Sequence, residues 1–439
     1  MEYYAVVGFI MVAILMYVLL KGNANPVILF STLPVIAGLS LGLSIFDISA
    51  IVKKGISATM VPAALAVFSP LFFGILNELG TFTPAIDFLV RKARGSLIGV
   101  TVGTVLLCML VGIEGSATNT ILIVFPPMII IYKRYNMRLQ ILYTLMALTC
   151  GTLNVTPWGA PLLRLAAVTK LDPHQMWLHW VPVQIPLLIG ILVLAVYFAI
   201  IEKRRGAGLS LDAETEMAAT VAPAASAETK YATKGHLYFN QALTASLIGL
   251  LFWGKIPAIQ IFMFLTAILV LVNFRGLKEQ SDVIKRNSSA AYTVASIMLS
   301  AGFLVGMLNE TPMLLKMADV ILKMIPNALG PYLHIIMAFV SLPLGVMIGF
   351  DAFIFGLIPI CIKVGESFGI SAEAMGLAML IGKNLGQSLQ PVSHLPYLAL
   401  SFLGGELKDY WGFTFKYAAI ATIYAVVVAI FVGLLPIPG

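Results

Sequence analysis

Of the 439 residues, 60% are hydrophobic and only 11% charged, far more apolar surface than a soluble chain of this length can bury. The net charge of +7 reports membrane topology in such a chain, not a nucleic-acid partner. Cys108, Cys150 and Cys361 all lie in apolar stretches, so they read as small buried hydrophobes without disulfide or metal spacing.

In chain order, apolar runs near the ~20 residues that span a bilayer come first at 4–20, 26–46 and 57–79. The first has no charged leader or small-residue cleavage site and reads as a retained helix. An amphipathic surface segment follows at 83–94. Residues 96–133 are apolar but interrupted by "EGSATNT" at 114–120. Each arm is shorter than a full span, which predicts a re-entrant hairpin with its tip inside the membrane. Residues 138–169 hold "NVTPWGAPLLR", whose two prolines and glycine break a helix, and a full span at 182–201 closes the half. Residues 206–236 are rich in Ala, Thr, Ser and Glu without apolar period and read as an extramembrane linker.

The second half runs 237–254, 257–274, 289–309, a hairpin at 328–365 with its tip near 349–353, a broken helix at 373–402, and a last span at 414–436. It repeats the first. "IVKKGISA" from Ile51 matches "VIKRNSSA" from Val283, and "GILNE" from Gly74 matches "GMLNE" from Gly306, both 232 residues on. Asp87 meets Asp319 and Arg91 meets Lys323 at the same offset. Pro126 and Pro359 follow at 233, and Pro157 and Pro391, like Trp177 and Trp411, at 234.

The predicted fold is therefore an all-α membrane protein. It has two inverted repeats, 1–205 and 237–439, each of five transmembrane helices plus one re-entrant hairpin, with broken helices at mid-membrane. An odd number of spans per half forces opposite insertion, the architecture of secondary transporters. With both termini outside and the linker cytoplasmic, 18 of the 27 Lys and Arg residues fall on the cytoplasmic side and 7 outside, the positive-inside excess.

The remaining two, Arg164 and Lys383, lie within the broken helices. A break in lipid frees backbone groups that must face protein or a water-filled cavity. Freed carbonyls hold cations, and the N-terminal end of the next half-helix holds anions. Asn154, Thr156, Gly159 and Arg164 thus form half of an expected anion site, Arg164 supplying a planar fork for carboxylate from the first turn of the half-helix. A proline kink with a snorkelling arginine is the rival reading. The counterpart "GKNLGQSLQPVSHLP" adds Lys383 as second cation, with Asn384, Gln387, Ser388, Gln390 and Ser393. His394 reads as a proton carrier or a structural histidine.

At the first tip, Ser116, Thr118, Asn119 and Thr120 offer oxygens for a cation or a carboxylate, with helix capping as the rival role; Asn119 is a candidate metal ligand. Asp351, in "GFDAFIFG" at the second tip, reads as proton carrier, metal ligand or helix cap. Glu114 is the only comparable acid of the first hairpin and a second candidate for the coupling proton or metal, although the repeat sets Asp351 opposite Thr118. Glu78 and Glu310, each after an asparagine, read as structural acids at helix ends.

These runs resemble the citrate–metal–proton symporter family of the ion transporter superfamily. "IYKRYNM" at 131–137, "NVTPWGAPLLR" and "GFDAFIFG" are similar to its characteristic runs, and the likeness extends over essentially the whole chain. It implies import of citrate or a related tricarboxylate as a divalent-metal complex (Mg, Ca or similar, as cargo and not as a resident cofactor), in symport with protons. It also implies an elevator-type transport domain on a dimerising scaffold, a homodimer in a bacterial inner membrane. Related sodium-coupled dicarboxylate carriers have Ser-Asn-Thr at both tips. Thr118–Asn119–Thr120 resembles that signature, whereas Asp351–Ala352–Phe353 does not. The alternatives are a sodium- or proton-coupled carrier of free di- or tricarboxylate and a cation/proton antiporter. No HExxH run is present, which argues against an intramembrane metalloprotease.

Overall fold

The computed structural model describes residues 2–21, 24–93, 96–208, 234–391 and 393–437. Among them there is helix and no strand, as backbone in lipid demands. Most of the linker predicted at 206–236 lies outside the described residues.

Among the described residues the α-helices fall into two sets of nine in the same order. The first set is α1 Glu2–Lys21, α2 Pro26–Ser40, α3 Ile45–Glu78, α4 Thr83–Ala93, α5 Leu97–Gly112, α6 Ala117–Arg134, α7 Leu139–Leu153, α8 Ala160–Thr169 and α9 Pro173–Arg204. The second is α10 Lys234–Trp253, α11 Ala258–Asn273, α12 Gly276–Glu310, α13 Met313–Leu322, α14 Leu333–Met347, α15 Ile358–Glu366, α16 Ala372–Leu385, α17 His394–Leu403 and α18 Leu407–Phe431. Among the described residues, five helices are long and apolar enough to cross a membrane by length and composition: Ile45–Glu78, Pro173–Arg204, Ala291–Glu310, Gly330–Met347 and Leu407–Phe431.

Some ends differ from the apolar pattern. The span expected at 26–46 stops at Ser40, because Gly42 turns left-handed (φ 78°) and Ser44 with Asp47 then closes a capping box. That box starts α3 twelve residues before the expected 57. Its partner α12 begins at Gly276 and not at 289. Its first turns are polar and mostly exposed, but Pro and Gly are absent from them beyond Gly276, so nothing stops the helix. Polarity marks where a helix leaves the apolar layer, not where it ends.

α3 and α12 cross closely. A Cβ on Gly55 would fall 1.9 Å from the Gly302 carbonyl oxygen and 2.6 Å from the Gly306 nitrogen, so small residues are required, as at membrane helix contacts generally. The same crossing is met again with the halves exchanged: Gly74, counterpart of Gly306, lies against Asn287, counterpart of Gly55. Ion pairs repeat this pattern. Lys54 meets Glu310 at 3.0 Å and Arg286 meets Glu78 at 2.6 Å, one contact made twice across the offset of 232. The duplicated acids thus hold the central pair of helices together.

Both hairpins form. α5 and α6 turn at 113–116, and α14 turns at 348–351 into a π-helical stretch, Ala352–Leu357, that runs on into α15. Both expected helix breaks are present, at 154–159 between α7 and α8 and at 386–393 between α16 and α17.

Candidate functional site

The first break is built by close backbone approach. The Asn154 amide ends α7 on the Cys150 carbonyl (2.9 Å). The chain then folds so tightly that a Cβ on Gly159 would lie 2.0 Å from the Asn154 oxygen. Gly159 starts α8, and the Thr156 hydroxyl is left buried without a partner. Trp158 ties the break to the first hairpin. Its indole donates to the Ile113 carbonyl (2.8 Å), and its ring packs on Phe73 and Phe262.

Arg164 lies a turn deeper in α8 than the sequence suggested, and only 6% exposed. It reaches back to the Ala160 carbonyl (3.3 Å) and across to the second hairpin. There its Nε donates to Asp351 Oδ1 at 2.7 Å. Asp351 opens the π-helical stretch but makes no side-chain capping bond, so its carboxylate serves the arginine and not the helix end.

Phe350, the neighbour of Asp351, lies between two cations: the Arg164 guanidinium is 5.1 Å from the ring centroid and the Lys383 ammonium 5.2 Å. Cations on a ring face in a dry site are favourable by about 2 kcal/mol. Lys383 is fully buried and donates to the Gly345 and Ile348 carbonyls (2.7 and 3.4 Å) and to Gln390 Oε1 (3.5 Å). These are carbonyls at the C-terminal end of α14, where a cation offsets the helix dipole. The Gln390 amide also donates to the Ile348 carbonyl. Lys383 therefore anchors the second tip to its own broken helix, as Trp158 anchors the first.

Where the two broken helices cross, a Cβ on Gly151 would lie 2.5 Å from the Asn384 carbonyl oxygen. Both amide atoms of Asn384, the Gln387 Nε2 and the Ser388 hydroxyl are buried there without partners, while the Ser388 carbonyl accepts from Tyr143. Buried polar atoms without partners cost free energy and mark places where a ligand or water completes the bonding.

The first tip is a separate grouping. Ser116 caps α6 by accepting from the Asn119 amide (3.2 Å), and the Thr120 hydroxyl donates to the Ser116 carbonyl (2.9 Å). Thr118 is engaged. Glu114 accepts from Asn77 Nδ2 of α3 (3.1 Å) and has its other oxygen buried and unpartnered. Ser393 caps α17 through the Leu395 amide (3.3 Å). The His394 side chain lies outside the described residues.

The structure thus brings Arg164, Asp351 and Lys383 together. It leaves Asn384, Gln387, Ser388 and Thr156 as unpartnered groups at the breaks, and turns Glu114 toward α3. Sequence reasoning missed Phe350, Asn77 and Trp158 as site residues. Phe350 adjoins a flagged acid and Trp158 lies inside the flagged run, so position was the available signal; nothing local marked Asn77.

Comparison with known proteins follows this geometry. The pattern of the family described as "Citrate transporter" matches residues 4–382. A citrate transporter of Bacillus subtilis (strain 168) is 29% identical over 98% of this chain and 99% of its own length. A Mg(2+)/citrate complex secondary transporter of the same organism is 26% identical over 99% of each. Two solved structures share the fold. The Alcanivorax borkumensis YdaH transporter has a TM-score of 0.57 at 16% identity, covering 89% of this chain and 90% of that one. Neisseria gonorrhoeae MtrF has a TM-score of 0.61 at 15% identity, covering 94% and 96%.

Proposed function

Because the chain belongs to the citrate transporter family, and is a transporter and not an enzyme, we propose that it imports citrate or a related tricarboxylate as a divalent-metal complex in symport with protons. The mechanism is elevator-type alternating access in the inner membrane of a bacterium, as a homodimer. The observation that carries the proposal is the Arg164–Asp351–Lys383 grouping, in which both a broken helix and a hairpin tip present charge at one buried place. Intramembrane charges of this kind are retained for a transported species. The metal-complex reading is supported by the relative whose name specifies Mg(2+)/citrate.

Inverted repeats are supported by the two sets of nine helices and by the contacts met twice with the halves exchanged. The proposed topology places both termini outside. Ion pairs between distant helices fit it: Lys54 and Lys170 with Glu310 and His179 with Glu373 fall outside, while Arg286 with Glu78 and Arg138 with Glu202 fall inside. Arg164 and Lys383 at the site favour an anion carrier over a cation/proton antiporter.

The test is uptake of labelled citrate into proteoliposomes, with and without magnesium or calcium and with and without an imposed inward proton gradient. Accumulation that needs both metal and gradient is expected. Equal accumulation in chelator would remove the complex, and indifference to the gradient would remove proton coupling.

A further inference from the structure

Resting on the carrier reading above, the geometry points to the Arg164–Asp351 ion pair as the filter that separates a metal–carboxylate complex from the free acid. The pair joins α8 to the second hairpin tip across 187 positions of chain, Nε to Oδ1 2.7 Å. Its side chains are 8% and 18% exposed, withdrawn from bulk water yet open on the aspartate side.

A pair held this deep keeps its charges only while each satisfies the other, and removing one partner leaves the other stranded. An incoming ligand must therefore replace whatever it displaces. A free tricarboxylate brings one sign alone. It can satisfy Arg164, but it strands Asp351 and sets like charge beside it. A divalent-metal complex brings both signs, its carboxylate to Arg164 and its metal ion to Asp351, a hard oxygen ligand suited to magnesium or calcium. Rejecting the wrong ligand by leaving a charge unpaired is a general route to specificity.

The surroundings reinforce the filter. Lys383 cannot hydrogen-bond a free acid directly without giving up the Gly345, Ile348 and Gln390 oxygens it holds. Among the described residues, no group of three His, Cys, Asp or Glu side chains gathers to hold a metal ion. A bare divalent ion meets one carboxylate at this place, and the rest of its shell comes from the acid it travels with. Asp351 is on this view a specificity-determining residue, and the ion pair offers one partner to each sign of a ligand that carries both charges.

The experiment is equilibrium binding by calorimetry to the full chain in detergent, at one pH. Citrate is titrated in chelator-treated buffer and again in saturating magnesium. The wild type is expected to favour the magnesium form by about tenfold or more. Asp351→Asn is expected to bring the two affinities within about threefold, binding free citrate better and the complex worse, while Asp351→Glu keeps the preference. Asp351→Ser reads the same ratio where the Asn variant does not fold. A preference that survives in the neutral variants, or a wild type that binds both forms equally, overturns the filter and leaves the carrier intact. A wild type that binds neither form overturns the carrier reading itself.

Discussion

Arg164 has two duties, and they can be separated. It neutralises Asp351, and in the proposed function it also receives a carboxylate. Arg164→Lys keeps the charge without the planar fork, and Arg164→Ala removes both. Citrate binding is expected to weaken in each, more in Ala, by about 2–5 kcal/mol for a desolvated partner. Arg164→Ala also strands Asp351, so its thermal midpoint falls. Adding Asp351→Asn is expected to restore much of that midpoint without restoring binding, a non-additivity that a double-mutant cycle reads directly. Equal midpoints in the single and double variants would mean that the pair contributes nothing to the fold. The sequence announced both residues, since a charge inside an apolar run is costly. It did not announce their pairing, because nothing local relates α8 to a turn 187 positions away. Nor did it reveal that Lys383 is spent on hairpin carbonyls, since a lysine on the last turn of a helix looks the same whichever way it points.

Gly159 shows where backbone geometry, and not charge, sets the residue. Gly159→Ala places a methyl group 2.0 Å from the Asn154 oxygen, and the break must open to accept it. An overpacked site of this kind costs about 1–3 kcal/mol, expected as a lower thermal midpoint in detergent together with reduced uptake. Wild-type values for both would show that the break is compliant.

At the scale of elements, each hairpin is fastened to the broken helix of its own half, by different chemistry. The first uses Trp158 to the Ile113 carbonyl, and the second uses Lys383 and Gln390 to the Ile348 carbonyl. Trp158→Phe keeps an aromatic ring beside Phe73 and Phe262 but leaves the carbonyl without its indole donor, a loss of about 1–3 kcal/mol where the group is buried. A cysteine at Ser116 is then expected to react faster with a small thiol reagent. An unchanged rate would assign the tip's position to α3 and the Asn77–Glu114 contact instead. The turns at 113–116 and 348–351 and the two helix breaks were legible because prolines, glycines and polar residues interrupt apolar runs at matching offsets. The lengths of α3 and α12 were not, because their outer turns carry no apolar signal. The crossing of those helices was written in Gly55, Gly302 and Gly306, but small residues announce a close contact without naming the partner.

At the scale of the whole molecule, the two glutamate clamps are unequal. Glu78 holds Arg286 and Asn287, both on α12. Glu310 holds Lys54 of α3 and also Lys170, the residue that ends α8 (3.1 Å). The position matching Lys170 at the offset of 234 is Gly404, which has no side chain to offer. One broken helix is therefore moored to the central pair, and among the described residues its counterpart has no such mooring. In the alternating-access cycle proposed above, whose two orientations exchange the roles of the halves, this asymmetry is expected to make the resting balance lopsided, with the outward and inward forms at different heights by the worth of one lysine contact. The pair is partly exposed, so its worth is at most about 1 kcal/mol, a shift of roughly fivefold in the population ratio. Lys170→Ala is expected to move the ratio of side-specific thiol labelling by up to that factor while leaving citrate affinity within each form unchanged. A ratio that does not move would mean that the mooring is released at no net cost, its energy returned by water.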